Sequence, residues 1–357
     1  MRKNRVRRRI LLVIGLAVLA GTIAFCSPGY VIRAGIEEAK ILRRRQPISE
    51  VIAAPGTSEA TRSKLELVRS ARAFAAEELN LDVGDSYTTY SRVDRDTLLL
   101  VLSASRKDAF RQVTWWFPIV GHVPYKGFFD AEDALEAARE LDAKGYDTYV
   151  RPSAAFSTLG WLPDPLLSTV LERDDVGLVS TVIHEVTHNT IYLGSQAAFN
   201  ESFANFVGDM GAADYFCRLE GTDGVRCRRA RALWQDDILF ADALQRLVAA
   251  LEAVYARDDI GSAGKIRARE QVIADWKDRY EREVVPRLRL AFREFHERDI
   301  NNAMLIGLRL YYDRLGLFDR VYQDLDMPLD QAVARMIESA ESSPDAPFEA
   351  VERLATG

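Results

Sequence analysis

The sequence contains few residues of the kinds that bind metals or form disulfides. Four histidines and three cysteines occur in 357 residues, and no Cys-x-x-Cys pair is present. A thiol redox motif and a zinc site built from cysteines are therefore excluded. Repeats and low-complexity tracts are also absent, and a hydrophobic fraction of 48% excludes a mainly disordered protein.

Beyond the first nine residues, which contain six lysines and arginines, the chain has no excess of positive charge. The formal charge of the whole chain is −6, so the remainder carries −12 once those six positive charges are removed. Binding of nucleic acid requires clustered Lys and Arg side chains that neutralise phosphates. We therefore expect no nucleic-acid partner.

Long hydrophobic runs are confined to the amino terminus. Residues 10–26 carry no charge and directly follow the basic cluster, which is typical of an export signal or a signal anchor. A lipoprotein signal, with lipidation at Cys26, and a fully cleaved signal are the alternatives. Phe25 disfavours the lipoprotein signal because that cleavage requires a small residue before the cysteine. All three interpretations place the rest of the chain outside the cytoplasm.

Cys217 and Cys227 flank a short segment that contains Gly221 and Gly224. On one continuous helix their Cα atoms would be about 15 Å apart, too far for a disulfide. A turn at the glycines would bring the cysteines together, and an oxidising compartment favours the bond. We therefore expect a disulfide between Cys217 and Cys227, with two reduced thiols as the alternative.

Local patterns divide the chain into three segments: a signal segment at 1–29, a juxtamembrane stalk at 30–58 and a main domain at 59–357. Within the main domain, 59–173 is predicted to be α+β and 174–357 to be helical. The fold class is therefore α+β and predominantly helical, with a small sheet before residue 174.

Hydrophobic periodicity predicts individual elements in this domain. Helices are expected at 59–79 and 131–144, and strands at 86–92, 97–103 and 146–150, with the first two strands paired to each other. Long amphipathic helical stretches are expected at 230–255, 266–298 and 302–322.

The segment from His184 to His188 has the pattern His-Glu-x-x-His. On a helix, residues four apart lie on one face, so His184 and His188 can bind one ion while Glu185 lies beside it to polarise a water molecule. This spacing predicts a zinc hydrolase with one Zn²⁺ per chain. The alternative is a helix that uses these histidines for packing.

A catalytic zinc of this class needs a third protein ligand and leaves its fourth position to water. Glu201 follows His188 after twelve intervening residues, and the link between them is long enough to reverse the chain. We therefore predict Glu201 as the third ligand. Asn205, one turn later, is predicted to orient a ligating histidine through its free ring nitrogen.

The predicted reaction assigns Glu185 as the general base that takes a proton from water and passes it to the leaving amine. The tetrahedral oxyanion would be stabilised by a further donor. The candidates for this donor are the hydroxyls of Tyr125, Tyr311 and Tyr312.

The sequence resembles the predicted zinc aminopeptidases of bacteria, which are similar to the gluzincins around the metal. The resemblance covers about 26–322 and rests on separated blocks at 45–48, 117–129, 155–161, 164–168, 184–188, 199–204, 301–303 and 311–312. It implies a gluzincin-like core with a small sheet before the His-Glu-x-x-His helix. It also implies a zinc peptidase at the bacterial inner membrane that faces the periplasm and takes peptide substrates.

Aminopeptidase action is implied by the resemblance alone, because the Gly-x-Met-Glu-Asn block with which well-studied gluzincin aminopeptidases bind the free amine is absent. One alternative is a non-catalytic periplasmic binding or assembly protein with a structural zinc. Another is a zinc hydrolase that acts on a different amide, such as a cell-wall peptide. The intact Glu185 favours an enzyme, since a structural zinc site needs no general base.

Overall fold

The computed structural model describes residues 41–93, 99–117, 121–128, 130–153 and 165–355. The predicted signal segment with Cys26, and the block at 155–161, lie outside the described residues. Within the described part of the chain, no helix has both the length and the apolar character needed to cross a bilayer.

Helices make up most of the described structure. They are α1 (Ile48–Ala53), α2 (Glu59–Glu77), α3 (Ala131–Ala143), α4 (Asp175–Thr190), α5 (Ala197–Glu220), α6 (Val225–Tyr255), α7 (Ser262–Glu283), α8 (Asn302–Tyr312), α9 (Leu315–Leu325), α10 (Leu329–Ser342) and α11 (Pro347–Glu352). The helices predicted at 59–79 and 131–144 are confirmed as α2 and α3.

The described strands all precede α4. They are β1 (Gln46–Pro47), β2 (Thr89–Ser91), β3 (Leu99–Arg106), β4 (Trp115–Phe117), β5 (Gly121–Val123), β6 (Lys126–Phe128), β7 (Tyr146–Ser153) and β8 (Leu166–Leu167). They form three small sheets with the orders β1–β2–β8, β6–β3–β7 and β4–β5. The predicted α+β, predominantly helical class and the small sheet before residue 174 are confirmed.

The predicted pairing of the first two strands is wrong. β2 pairs antiparallel with β1 and parallel with β8, whereas β3 pairs antiparallel with β6 and β7. The partner β8 is distant in sequence, and its Leu166 and Leu167 are buried in the main core. Burial of these two leucines draws β8, and with it β2, away from β3.

The sheet β6–β3–β7 has two different faces. Leu102 and Phe128 pack with Ala134 and Ala138 of α3 in a small apolar cluster on one face. The opposite face includes the row Gly127, Val101 and Arg151, because residues in register across neighbouring strands point to the same side. This second face is turned toward the helical part.

The main core joins the helices to the sheet β1–β2–β8. Four phenylalanines, three of them on α5, are in ring contact at its centre: Phe199, Phe203, Phe206 and Phe318. Ile48 and Val51, which fall in the predicted stalk, are buried in the same core. One hydrophobic core therefore includes residues on both sides of the predicted division at residue 174.

The helical stretches predicted at 266–298 and 302–322 are interrupted. α7 ends at Glu283, and Pro286 follows within three residues, where a helix would lose a backbone hydrogen bond. α8 and α9 are separated at Arg314, which has a left-handed φ of 48°. Pro286 is a helix-breaking residue that is visible in the sequence, whereas hydrophobic periodicity alone predicted an unbroken helix there.

A buried carboxylate holds the irregular segment after α7. Asp236, on α6, is fully buried and accepts hydrogen bonds from the backbone N–H groups of Arg289, Leu290 and Ala291. In a continuing helix these donors would bond to carbonyl oxygens four residues earlier in the chain. Asp236 therefore replaces the hydrogen bonds that a continuing helix would have supplied.

A buried ion pair fixes β7 against the helices. Arg269 Nη1 on α7 lies 2.6 Å from Asp147 Oδ2, and the two side chains are 6% and 5% exposed. The same carboxylate oxygen accepts the backbone N–H of Asn302, the first residue of α8, at 3.0 Å. Without Asp147, Arg269 would keep only the exposed Glu270 as a counter-charge, and without Arg269 the carboxylate of Asp147 would lose the cation with which it pairs.

We predict that Asp147→Asn lowers the free energy of unfolding by about 3–5 kcal/mol, because the Arg269 guanidinium loses its only buried counter-charge among the described residues. Urea denaturation followed by circular dichroism measures the change. Asp242→Asn is the matched control, since Asp242 pairs with Arg246 at an exposed position on α6 and is expected to change stability by at most about 1 kcal/mol. Equal losses in the two variants would contradict a structural role for the buried pair.

Candidate metal centre

The helices that carry the predicted ligands are joined by a short turn. α4 begins after Asp174, whose side chain accepts the backbone N–H of Gly177 at 2.8 Å. The buried amide of Asn200, at the start of α5, hydrogen bonds to both the backbone N–H and the carbonyl of Leu193. These bonds close the turn, so that Glu201 returns to the face of α4 that carries the histidines.

The structure brings His184, His188 and Glu201 together. The Nε2 atoms of the two histidines are 3.3 Å apart. Glu201 Oε2 lies 3.4 Å from His184 Nε2, and its Oε1 lies 3.8 Å from His188 Nε2. In the described part of the chain, this is the group of His, Cys, Asp and Glu side chains whose ligand atoms could hold a metal ion.

The donor set fits a zinc ion. Two imidazole nitrogens and a carboxylate are ligands of catalytic zinc, and two donors about 2.1 Å from a tetrahedral ion lie about 3.4 Å apart. The separation of the two Nε2 atoms is close to this value. Only one proton fits between two ring nitrogens that face each other. A metal cation at the same place would accept the lone pairs of both nitrogens.

The protonation states of His188 and Glu201 suit metal binding as well. Burial and the neighbouring His184 lower the pKa of His188 to about 4, so the His188 ring is neutral near pH 7. Burial raises the pKa of Glu201, but the hydrogen bond with His184 and the charges of His188, His184 and Arg151 outweigh it, so the pKa is lowered overall. A neutral imidazole and an ionised carboxylate are the forms that bind a cation.

Close packing of α4 and α5 depends on Gly208. A Cβ atom at this position would lie 2.7 Å from the Ser180 carbonyl oxygen and 3.1 Å from Cβ of His184. The contact with the carbonyl oxygen is too short for a side chain to be accommodated without movement of the backbone, and the contact with His184 is tight. Gly208 therefore allows α5 to approach α4 at the level of the first predicted ligand.

A half-buried pair of acidic residues, Asp209 and Asp237, lies behind His184. Asp209 accepts a hydrogen bond from Ser180 at 2.5 Å. Burial lowers the pKa of His184, but the hydrogen bond with Glu201 and the charges of Glu185, Glu201 and Asp209 outweigh it, so the pKa is raised overall. Burial raises the pKa of Asp209 above its ordinary value. Burial and the Asp209 charge raise the pKa of nearby Asp237 well above its ordinary value, while a hydrogen bond with Tyr312 opposes that shift.

The two predicted tyrosines of α8 have different surroundings, because neighbouring residues on a helix point about 100° apart. Burial and the charges of Glu201 and Glu185 raise the pKa of Tyr311 to about 12, although Arg151 opposes the increase. Of the two tyrosines, Tyr311 is thus the one whose hydroxyl interacts electrostatically with Glu201 and Glu185.

The Tyr312 ring packs on Phe240 and Phe292, and its hydroxyl hydrogen bonds to Asp237. Tyr312 therefore packs in the core and contacts Asp237, and it does not lie on the face of α8 that carries Tyr311. Its candidacy as an oxyanion donor does not agree with these contacts.

Asn205 holds α8 and does not reach a histidine ring by any hydrogen bond among the described residues. Its amide nitrogen donates to the Tyr311 carbonyl at 2.8 Å, and Ser202 donates to the Leu310 carbonyl at 3.3 Å. The last carbonyls of a helix have no partner within it, so these donors from α5 satisfy them. Asn205 therefore positions Tyr311. The prediction that it orients a ligating histidine has no support in these hydrogen bonds.

Tyr125 and Arg151 complete the surroundings of the cluster. Tyr125, in the turn between β5 and β6, is 44% exposed and interacts electrostatically with Tyr311. Arg151, on β7, is half-buried and influences both Glu201 and Tyr311. Of these two, Tyr125 was predicted from the sequence, and Arg151 was not.

The family model described as "Putative aminopeptidase" matches residues 29–350, which is most of the chain. The chain belongs to this family. Neither the curated proteins nor the solved structures include a significant match. Membership of an aminopeptidase family indicates a peptidase, in agreement with the resemblance inferred from the sequence blocks.

In this aminopeptidase-family chain, a disulfide joins Cys217 and Cys227, whose Cα atoms are 4.6 Å apart. α5 ends at Glu220, and Gly221 has a φ of 79°, a left-handed conformation that favours glycine. The chain reverses there, and α6 begins four residues later at Val225. The disulfide connects the end of one helix to the start of the next.

Several residues around the centre were missed by sequence reasoning: Asn200, Ser202, Gly208, Asp209, Asp237 and Arg151. Asn200 and Ser202 flank the predicted ligand Glu201 and could have been noticed for that reason. Gly208 offered a weaker signal, since a glycine inside a helical pattern often marks close packing. Arg151 and Asp237 are distant in sequence from the motif, and nothing in their local pattern distinguishes them.

We predict that Gly208→Ala destabilises the protein by about 1–3 kcal/mol and lowers the amount of zinc bound, because the added methyl group forces α4 and α5 apart at His184. Gly307→Ala is the matched control. A Cβ at Gly307, in the interior of α8, meets nothing within 4 Å, so this variant should be neutral or up to about 1 kcal/mol more stable. Thermal unfolding and elemental analysis of zinc-loaded protein measure both effects, and identical behaviour of the two variants would contradict the packing argument.

Proposed function

We propose that this chain is a membrane-associated, zinc-dependent aminopeptidase that hydrolyses peptide bonds at the periplasmic face of the inner membrane. The observation that carries the proposal is the convergence of His184, His188 and Glu201, with Glu185 on the same helix as both histidines. Family membership supports the peptidase class. The gluzincin-like ligand spacing supports the zinc.

Zinc held by His184, His188 and Glu201 would polarise the peptide carbonyl and lower the pKa of water at the site. Glu185 accepts a proton from the attacking water and transfers it to the leaving amine. The Tyr311 hydroxyl, with its pKa raised to about 12, keeps its proton near pH 7 and can donate a hydrogen bond to the oxyanion.

The proposed location follows from the amino-terminal segment, which acts either as a signal anchor or as a lipoprotein signal with Cys26 lipidated. The disulfide between Cys217 and Cys227 supports an oxidising compartment, because disulfides are rare in the cytoplasm. Both features agree with a peptidase outside the cytoplasm.

We predict that Glu185→Gln retains one zinc per chain and the wild-type thermal stability but loses peptide hydrolysis by at least about 100-fold, because only the proton acceptor is removed. Glu201→Ala should instead lose most of the bound zinc, because two histidines alone hold the ion weakly. Elemental analysis and cleavage assays on the full chain in detergent test both variants. Normal hydrolysis by Glu185→Gln would overturn the mechanism.

The aminopeptidase assignment is tested with the same wild-type preparation. Matched peptides with a free and an acetylated amino terminus should differ, with cleavage only of the free-amine peptide and release of its first residue. Equal cleavage of both peptides, or cleavage inside them, would indicate an endopeptidase instead of an aminopeptidase. Zinc without cleavage of either peptide would favour a non-catalytic binding protein.

A further inference from the structure

The helix-facing side of β7 presents three polar or aromatic residues at alternate positions. Asp147 pairs with Arg269 on α7, and Tyr149 packs on the apolar cluster formed by α6, α7 and α8. Because side chains alternate along a strand, Arg151 points to the same side as Asp147 and Tyr149. Asp147 and Tyr149 are explained by the packing of the helices, and Arg151 is not.

β7 and α8 extend from a common anchor. The anchor is the hydrogen bond from the Asn302 backbone to Asp147, next to a second bond from Asn301 to the Thr148 carbonyl. From this point four residues of strand lead to Arg151, a distance of about 13 Å. Nine residues of helix lead from Asn302 to Tyr311, a distance of about 14 Å. Since α8 packs on β7 beyond this shared starting point, Arg151 and Tyr311 lie at about the same distance from it.

The charges agree with this placement. Burial raises the pKa of Glu201, and the positive charge of Arg151 acts in the opposite direction. Arg151 also opposes the increase in the pKa of Tyr311. The Arg151 guanidinium therefore interacts with Glu201 and Tyr311 from the side of the sheet. Glu201 itself belongs to α5, on the opposite side of the candidate centre.

No carboxylate of the described residues lies within ion-pair distance of Arg151, whereas Arg106 in the same sheet and Arg269 on α7 are paired. Arg106 pairs with Asp108, and Arg269 pairs with Asp147 and Glu270. A half-buried guanidinium beside a site that must admit a peptide has the geometry to bind a carboxylate through two parallel hydrogen bonds. Peptides carry such a group at the carboxyl terminus or on an acidic side chain.

We propose that Arg151 binds a carboxylate of the peptide substrate and thereby determines specificity at the candidate centre; this inference rests on the proposed peptidase function. The substrates would be short peptides with a free carboxyl terminus near the scissile bond, or peptides with an acidic residue there. Both share one recognised group, and matched peptides separate the two sources.

Two peptide pairs are compared with the full, zinc-loaded chain. Leu-Gly-Gly and its carboxyl-terminal amide differ only in the terminal carboxylate, and Leu-Glu-Gly amide and Leu-Gln-Gly amide differ only in the side-chain carboxylate. For each pair kcat/KM is measured on the wild type. Calorimetry on Glu185→Gln gives Kd values that do not depend on catalysis.

The wild type should prefer the carboxylate-bearing member of one pair by about 10- to 100-fold, the effect of a charged hydrogen-bonded contact. The pair that shows the preference identifies the source. Arg151→Gln should bring this ratio close to one, and Arg151→Lys should give an intermediate ratio because a lysine cannot form the two parallel bonds. Arg139→Gln removes an exposed cation from α3, on the other side of the sheet, and should keep the wild-type ratio.

Several outcomes overturn the inference. The first is an equal kcat/KM for both members of each pair, and the second is a preference that persists in Arg151→Gln. The third is a loss of zinc in Arg151→Gln that lowers the cleavage of both members equally. This third result would indicate a structural role for Arg151 beside Glu201. Cleavage without discrimination leaves the peptidase function standing and overturns only the role of Arg151. Selective, Arg151-dependent binding without cleavage supports the role of Arg151 and overturns the proposed hydrolysis.

Discussion

The approach of α5 to the backbone of α4 at Gly208 controls the geometry of the candidate centre. With no side chain at this position, the two helices come closer than any Cβ would allow. Glu201 lies two turns earlier on α5, so the same approach brings its carboxylate over His184 and His188. The phenylalanines of α5 then fill the opposite side of the helix and prevent it from moving away. The absence of a side chain at Gly208 thus sets the distances among the side chains of His184, His188 and Glu201.

Three carboxylates fix how neighbouring elements are oriented, which apolar packing alone does not determine. Asp147 ties β7 to α7 and α8, Asp236 holds the irregular segment after α7, and Asp209 lies behind the first histidine. Each of the three has a specific hydrogen-bond donor, which is what burial of an acid requires. The cluster of His184, His188 and Glu201 is therefore supported by oriented polar groups as well as by the hydrophobic core.

The sequence was sufficient wherever information is local. The helices α2 and α3 follow from periodicity, and the proximity of His184 to His188 follows from a spacing of four residues on a helix. Strand pairing failed because β2 finds its partner β8 far along the chain. Tyr311 and Tyr312 were indistinguishable in sequence, since only the orientation of α8 separates a tyrosine beside Glu201 from one packed on Phe240. Arg151 could not have been found without knowledge of how β7 runs along α8.

The alternation along β7 has a consequence for how this protein can diverge. Val150 belongs to the apolar cluster beneath α3, where residues of similar volume can replace one another. On the opposite face of the strand, Asp147 forms the buried ion pair and Arg151 lies beside the candidate metal ligands. Neighbouring residues of a single strand are thus under separate constraints, Val150 on volume and Arg151 on charge. Among homologues, we expect other apolar residues to replace Val150, and Asp147 and Arg151 to keep their charges.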